Sequence, residues 1–241
     1  MRSGNPVLRQ NTFEQTNSYA QGDTAMTIQG VVNKTLLLLF FVIAGATVTW
    51  NNPAPMLPFV LPIALGALAI AFITVFKKRW AAITAPLYAV LEGLLVGLIS
   101  TIFEKMYPGI VIQAVGLTFG TMFSLLVAYK SGLIRASATF KRGVIAATGG
   151  IALVYIVNIV LSFFGRSFPF IHEGSVFGIL FSVFVVIVAS LNLVLDFDFI
   201  ETGAQQGAPR YLEWYAAFGL VVTLIWLYME ILRLLSKMRR R

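Results

Sequence analysis

The 241-residue chain has no cysteine and one histidine, His172. Without cysteine there is no disulfide, no thiolate metal site and no cysteine nucleophile. A single histidine, beside Glu173 in a polar stretch, argues against a zinc site. It also leaves no Ser–His pair inside an apolar segment for serine-type proteolysis. Charge is scarce: Asp, Glu, Lys and Arg make up 12% of the chain, where a soluble domain carries about 25%. No phosphate-binding loop is present, because Ala147–Gly150 (ATGG) lies in an apolar run with no lysine after it. Asp196 and Asp198 are two residues apart and do not face each other on a helix, so they do not form an aspartyl-protease pair. The chain therefore does not read as an enzyme, and carboxylates are what remains for ionic chemistry.

What is present is apolar sequence, 58% of the residues. Seven runs stand out: Thr35–Trp50, Met56–Phe76, Trp80–Phe103, Gly109–Tyr129, Gly143–Phe164, Gly174–Leu195 and Tyr211–Leu235. A helix needs about 20 residues to cross about 30 Å of hydrocarbon. Six runs are long enough, and the first must borrow from Ile28–Lys34. The runs are continuous rather than alternating, which excludes spanning strands. The expected organisation is a polar, disordered cytoplasmic tail over 1–31, a transmembrane domain over 32–236 and a basic tail over 237–241. The N-terminal tail lacks the early apolar core of a cleavable signal peptide. Gly93/Gly97 and Gly116/Gly120 have the four-residue spacing of close helix packing within one bundle, a dimer interface being the other reading.

The net charge is +8. The basic residues cluster at the ends of apolar runs, so the lipid bilayer explains them without a nucleic-acid partner. Arg2, Arg9 and Lys34 precede the first run. Lys77, Lys78 and Arg79, then Lys130, Arg135, Lys141 and Arg142, and finally Arg210 fall in loops on that same side. The opposite loops hold Lys105 and Arg166. The N-terminus is therefore expected in the cytoplasm, with the chain in the inner or plasma membrane. Seven crossings put the basic ending ILRLLSKMRRR outside, against this rule. Either the last span is carried across by the six before it, or one segment is re-entrant; seven crossings is the expectation.

Three carboxylates interrupt the apolar runs, where an ionisable group is a functional candidate by default. Asp196 closes VVIVASLNLVLD, and Asn192 shares its helical face four residues earlier. Asp198 and Glu201 are expected at the interface or in the following loop. Glu230, in WLYMEILRLL, can pair with Arg233 three residues on. Glu213 lies among Tyr211, Trp214 and Tyr215, aromatics that mark a membrane interface. It is 17 residues from Glu230, about 25 Å along one helix, so at most one of the two can partner Asp196. Glu92 lies mid-segment beside Gly93, either lining a path or hydrogen-bonded to Asn158 or Gln113. Two close carboxylates in a low dielectric can share a proton, or bind a hard cation such as Ca²⁺.

Three passages, in this order on seven apolar segments, resemble the Bax inhibitor-1 (transmembrane Bax inhibitor motif) family in its bacterial branch: YAVLEGLLVG (Tyr88–Gly97), LNLVLDFDFIETG (Leu191–Gly203) and WLYMEILRLL (Trp226–Leu235). The resemblance implies an all-α membrane protein, a seven-transmembrane-helix bundle with the last helix central. It implies a pH-sensitive Ca²⁺ leak gated by an acidic pair from the last two helices, here Asp196 and Glu230. Glu230 replaces the family's aspartate. These two would be the pH-sensing, ion-gate and Ca²⁺-binding residues, with Glu92, Asn192 and Glu213 lining or bracing the path. Ca²⁺ or H⁺ would be the permeant ion, with no resident cofactor. The resemblance also offers a second role, a non-conducting regulator of a membrane-anchored protease.

Overall fold

The computed structural model describes residues 25–166, 168 and 175–240. The tail through residue 24, and His172 with Glu173, lie outside the described residues. Hydrocarbon gives the backbone no hydrogen-bond partner, so each apolar run closes its own amide bonds as a helix. The helices are α1 (Ile28–Asn51), α2 (Val60–Phe76), α3 (Ala81–Met106), α4 (Ile110–Lys130), α5 (Ala138–Phe163), α6 (Val176–Gln205) and α7 (Leu212–Arg239). Short 3-10 segments, Ala54–Phe59 and Lys78–Trp80, lead into α2 and α3. All seven helical segments are long and apolar enough to cross a membrane.

Helix ends differ from the sequence expectation in three places, each for a local reason. α1 does borrow Ile28–Lys34, and it starts where Thr27 caps it by accepting from Gly30 N at 2.9 Å. The tail thus meets the helix at residue 28, not 32. α6 continues ten residues past Leu195, so Asp198 and Glu201 are helical rather than in a loop. Their charge reads as loop composition, but Lys141 of α5 pairs with Asp198, and Tyr129 Oη of α4 donates to Glu201 at 2.6 Å. α7 runs through Lys237 to Arg239, where a basic tail is expected from 237.

α7 is the centre of the bundle: 61% of its most apolar stretch is buried, against 11% for the segment containing α2. It packs on α6, α1, α4 and α3. α2 leans on α3 and α5 on α6, both further from the centre. The α1–α3 pair is the tightest packed. A Cβ added at Gly45 would lie 2.7 Å from the Val90 carbonyl oxygen, and Gly93 and Gly97 touch the backbone of Val42 and Ala46. Gly116 and Gly120, with the same spacing on α4, have nothing within 4 Å of an added Cβ, so the packing expected of that pair does not occur inside the bundle.

Seven crossings leave the start of α1 and the end of α7 on opposite faces. Arg239 donates to the Pro108 carbonyl at 2.9 Å and to Gln113 at 3.1 Å, beside the α3–α4 turn. That turn uses Gly109 at φ +79°, a left-handed conformation that glycine adopts without strain. Glu104 then accepts from Gly109 N and Val111 N, at 2.5 and 3.1 Å, and so places an anion on the positive end of α4. Below, the face holding the start of α1 is the N-terminal face and the other the C-terminal face.

Candidate functional site

The described carboxylates are Glu92, Glu104, Asp196, Asp198, Glu201, Glu213 and Glu230. Five of them are held by a cation, a tyrosine or backbone amides. Glu104, Asp198 and Glu201 are accounted for above. Glu213 is buried at the N-terminal face, paired with Lys34, and it accepts from Thr27 N and Oγ1 at 2.9 and 3.0 Å. Its carboxylate fills the place where a Cβ on Gly30 would stand. Met26 N donates to the Ala208 carbonyl nearby, at 2.7 Å. Glu213 is thus a clamp between the start of α1 and the start of α7, more buried than an interfacial side chain.

Glu230 is only 2% exposed and sits in the C-terminal half. Arg233 Nη1 reaches both carboxylate oxygens at 3.0 and 3.1 Å. Tyr155 Oη of α5 donates to the same carboxylate at 3.0 Å and accepts from Arg233 at 2.6 Å. One turn beyond, Lys237 is buried and donates to Gly178 O and Ser182 Oγ of α6, at 3.1 and 2.9 Å. A buried anion that is fully paired in this way is tolerable, and removing one partner would strand it.

Asp196 and Glu92 have no such partner. Asp196 comes from α6 and faces α7 at Gly219, where an added Cβ would lie 3.9 Å from its Oδ1. Its Oδ2 is buried and has no hydrogen-bond partner. The carboxylate opens on a cleft of about 520 Å³ in the N-terminal half. Ala71 and Val75 of α2, Tyr88 of α3, Phe199 of α6 and Tyr215, Gly219 and Thr223 of α7 line the cleft. Thr223 lies within side-chain hydrogen-bonding reach of the Asp196 carboxylate, and its hydroxyl also donates to Gly219 O at 3.2 Å within its own helix. Tyr88 packs edge-on against Phe218, with centroids 5.0 Å apart. Glu92 is one helical turn from Tyr88 on the α3 stripe that also carries Ser100, whose hydroxyl is 2.6 Å from Tyr228 Oη of α7. It therefore faces the middle of α7, and it makes neither an ion pair nor a hydrogen bond among the described residues.

The expected Asp196–Glu230 pair does not form. Asp196 faces Gly219, eleven residues before Glu230, a separation of about 16 Å along α7. Straight, fully spanning helices cannot close that gap, and Arg233 already occupies Glu230. Asn192 also leaves the expected stripe: its amide donates to Thr148 Oγ1 of α5 at 2.8 Å and to Val188 O at 2.9 Å. Neither hydrogen bond considered for Glu92 is made. Asn158 accepts from Phe168 N at 2.8 Å, and Gln113 is taken by Arg239. Among the described residues no three His, Asp or Glu side chains come together as a metal cluster, so a cation at Asp196 would have one carboxylate and the cleft's other oxygens.

Several participants went unnoticed in the sequence. Tyr88 precedes Glu92 by four residues, and that spacing was the available signal. Tyr155 and Lys237 had none, because their partners lie 75 and 55 residues away on other helices.

A family model described as Bax inhibitor 1 like matches residues 5–240, nearly the whole chain. No curated protein matches it.

Proposed function

The chain belongs to the Bax inhibitor 1 like family, and from that premise we propose that this multi-pass membrane protein is a pH-sensitive cation leak whose gate is built on Asp196. The observation that carries the reading is the Asp196 carboxylate itself. One of its oxygens is buried without a partner, beside a cleft between α2, α3, α6 and α7. A charge left in such a place is costly. A proton removes the cost by neutralising it, and a cation removes it by pairing with it. The two compete for the same oxygens, which makes occupancy depend on pH. Ca²⁺ suits a site made of oxygen ligands alone.

Glu92, not Glu230, supplies the second charge. It stands beyond Tyr88 from Asp196 and continues the polar line toward the middle of α7. Glu230 is the brace that fixes α7 to α5. The basic side chains near the N-terminal face, Lys34, Lys77, Lys78, Arg79, Lys130, Arg135, Lys141 and Arg142, support a cytoplasmic assignment of that face, in keeping with an inner or plasma membrane protein.

The test is Ca²⁺ entry into dye-loaded liposomes containing the purified protein, followed across pH. Flux should vary with pH in the wild type. Asp196→Asn should lower it by roughly tenfold or more, because a hydrogen bond or pairing to a charged group contributes about 1.5–3 kcal/mol. The remaining flux should be flat with pH. A wild type that passes no cation at any pH, or an Asp196→Asn profile that overlays the wild type, rejects the reading.

A further inference from the structure

Away from the Asp196 cleft, a second concavity follows α7 between α1 and α4. It has two lobes that share Leu39 and Phe119, about 240 Å³ toward the C-terminal face and about 380 Å³ toward the N-terminal face. The walls are almost wholly apolar, but the larger lobe carries an unexplained polar group. Thr35 lines it, is 6% exposed, and has a buried hydroxyl with no hydrogen-bond partner. The other buried threonines are all satisfied. Thr74, Thr84, Thr101, Thr118 and Thr223 bond the carbonyl four residues back, and Thr49 bonds those of Ala46 and Leu94. A hydroxyl left unpaired in an apolar setting is destabilising, so Thr35 is waiting for an acceptor.

The mouth of the same lobe carries one charge of each sign. Lys130 is exposed at the end of α4 and makes no ion pair among the described residues. Glu201 lines the lobe too, its carboxylate accepting from Tyr129 Oη at 2.6 Å and from Gln205 at 3.4 Å. The lobe runs along α1 from Ile28 to Leu39, about 16 Å, which is half the roughly 30 Å of hydrocarbon and so the depth of one leaflet. An acyl chain matches this apolar depth, and the paired charges at the mouth suit a zwitterionic headgroup better than an apolar helix face of a second copy.

We propose that this concavity seats one acyl chain of a zwitterionic phospholipid, with its phosphate on Lys130, its ammonium at Glu201, an ester oxygen accepting from Thr35 and the chain running on past Leu39 and Phe119 into the smaller lobe. A phosphoethanolamine headgroup fits best, because its primary ammonium can donate to Glu201, which a trimethylated choline cannot do. The site is separate from the leak pathway and stands whether or not the protein conducts.

The experiment is native mass spectrometry of the full chain, released from vesicles containing equal phosphatidylethanolamine, phosphatidylcholine and phosphatidylglycerol. The wild type should retain one lipid per chain, the ethanolamine lipid. Val32→Trp fills the lobe from its exposed rim and should abolish retention, while its melting temperature matches the wild type. Thr35→Val should weaken retention about fivefold, the loss expected for one ordinary hydrogen bond. Lys130→Gln should weaken it independently, so the test survives if the tryptophan variant fails to fold. Retention of no lipid, or retention unchanged by Thr35→Val and Lys130→Gln, overturns the site. Equal retention of all three lipids overturns the headgroup assignment. Dimers that vanish with Val32→Trp would give the groove to a second copy and overturn the proposal.

Discussion

The two halves of α7 treat a buried carboxylate in opposite ways. In the C-terminal half, Glu230 is enclosed by Arg233 and Tyr155, and every oxygen has a donor. In the N-terminal half, Asp196 leans on the same helix with a buried oxygen that has none. Both sit at membrane depth, so depth does not distinguish them. Their neighbours do: one carboxylate is fully paired within the protein, and the other keeps a buried oxygen without a partner. A carboxylate within a membrane helix thus has two uses, and its partner list tells them apart better than its position.

This contrast can be broken most forcefully from the paired side. Arg233→Ala strands Glu230 as an uncompensated buried charge and should cost about 3–5 kcal/mol of stability, read by thermal or denaturant unfolding in detergent. Adding Glu230→Gln should recover much of the loss. On the other side, Asp196→Asn should leave stability unchanged or raise it, while removing the pH dependence of flux. A large loss of stability there would mean that Asp196 is structural after all. Tyr155→Phe sharpens the comparison: it removes one neutral hydrogen-bonding partner and should cost about 1–2 kcal/mol, with the pH profile of flux preserved. Lys141→Ala, which removes the partly exposed pair with Asp198, should cost less than about 1 kcal/mol. A larger cost would show that the end of α6 depends on that ion pair more than its exposure suggests.

Much of this architecture was legible from residue order alone. Seven runs became seven spans, and the short first run was completed from Ile28–Lys34, because hydrocarbon admits one backbone solution and length sets how much sequence it needs. The Glu230–Arg233 pair was legible too, since a three-residue spacing acts within one helix. What could not be read was anything that depends on how helices are rotated against one another. Asn192 and Asp196 share a nominal face, yet one turns to α5 and the other to α7. Glu213 finds Lys34 across 179 residues. The last ten residues of α6 look like a loop until Tyr129 and Lys141 arrive to satisfy their acids. Asp196 stands out in the sequence as an acid closing an apolar run, and in the fold one of its oxygens is buried without a partner. The resemblance points to Glu230 as its partner, but in the fold Glu230 pairs with Arg233 while Asp196 shares its cleft with Tyr88.

The order of synthesis gives the central position of α7 a consequence of its own. A ribosome makes this helix after the other six, yet α1, α3, α4 and α6 all pack on it. For most of translation the first six spans share the bilayer with a vacancy at their middle, their future core surfaces covered only by lipid. The clamp from Thr27 to Glu213 closes across 186 residues, so assembly ends with a long-range step rather than beginning with one. A chain that stops short of residue 212 would therefore be six inserted helices without a core, a natural substrate for membrane quality control.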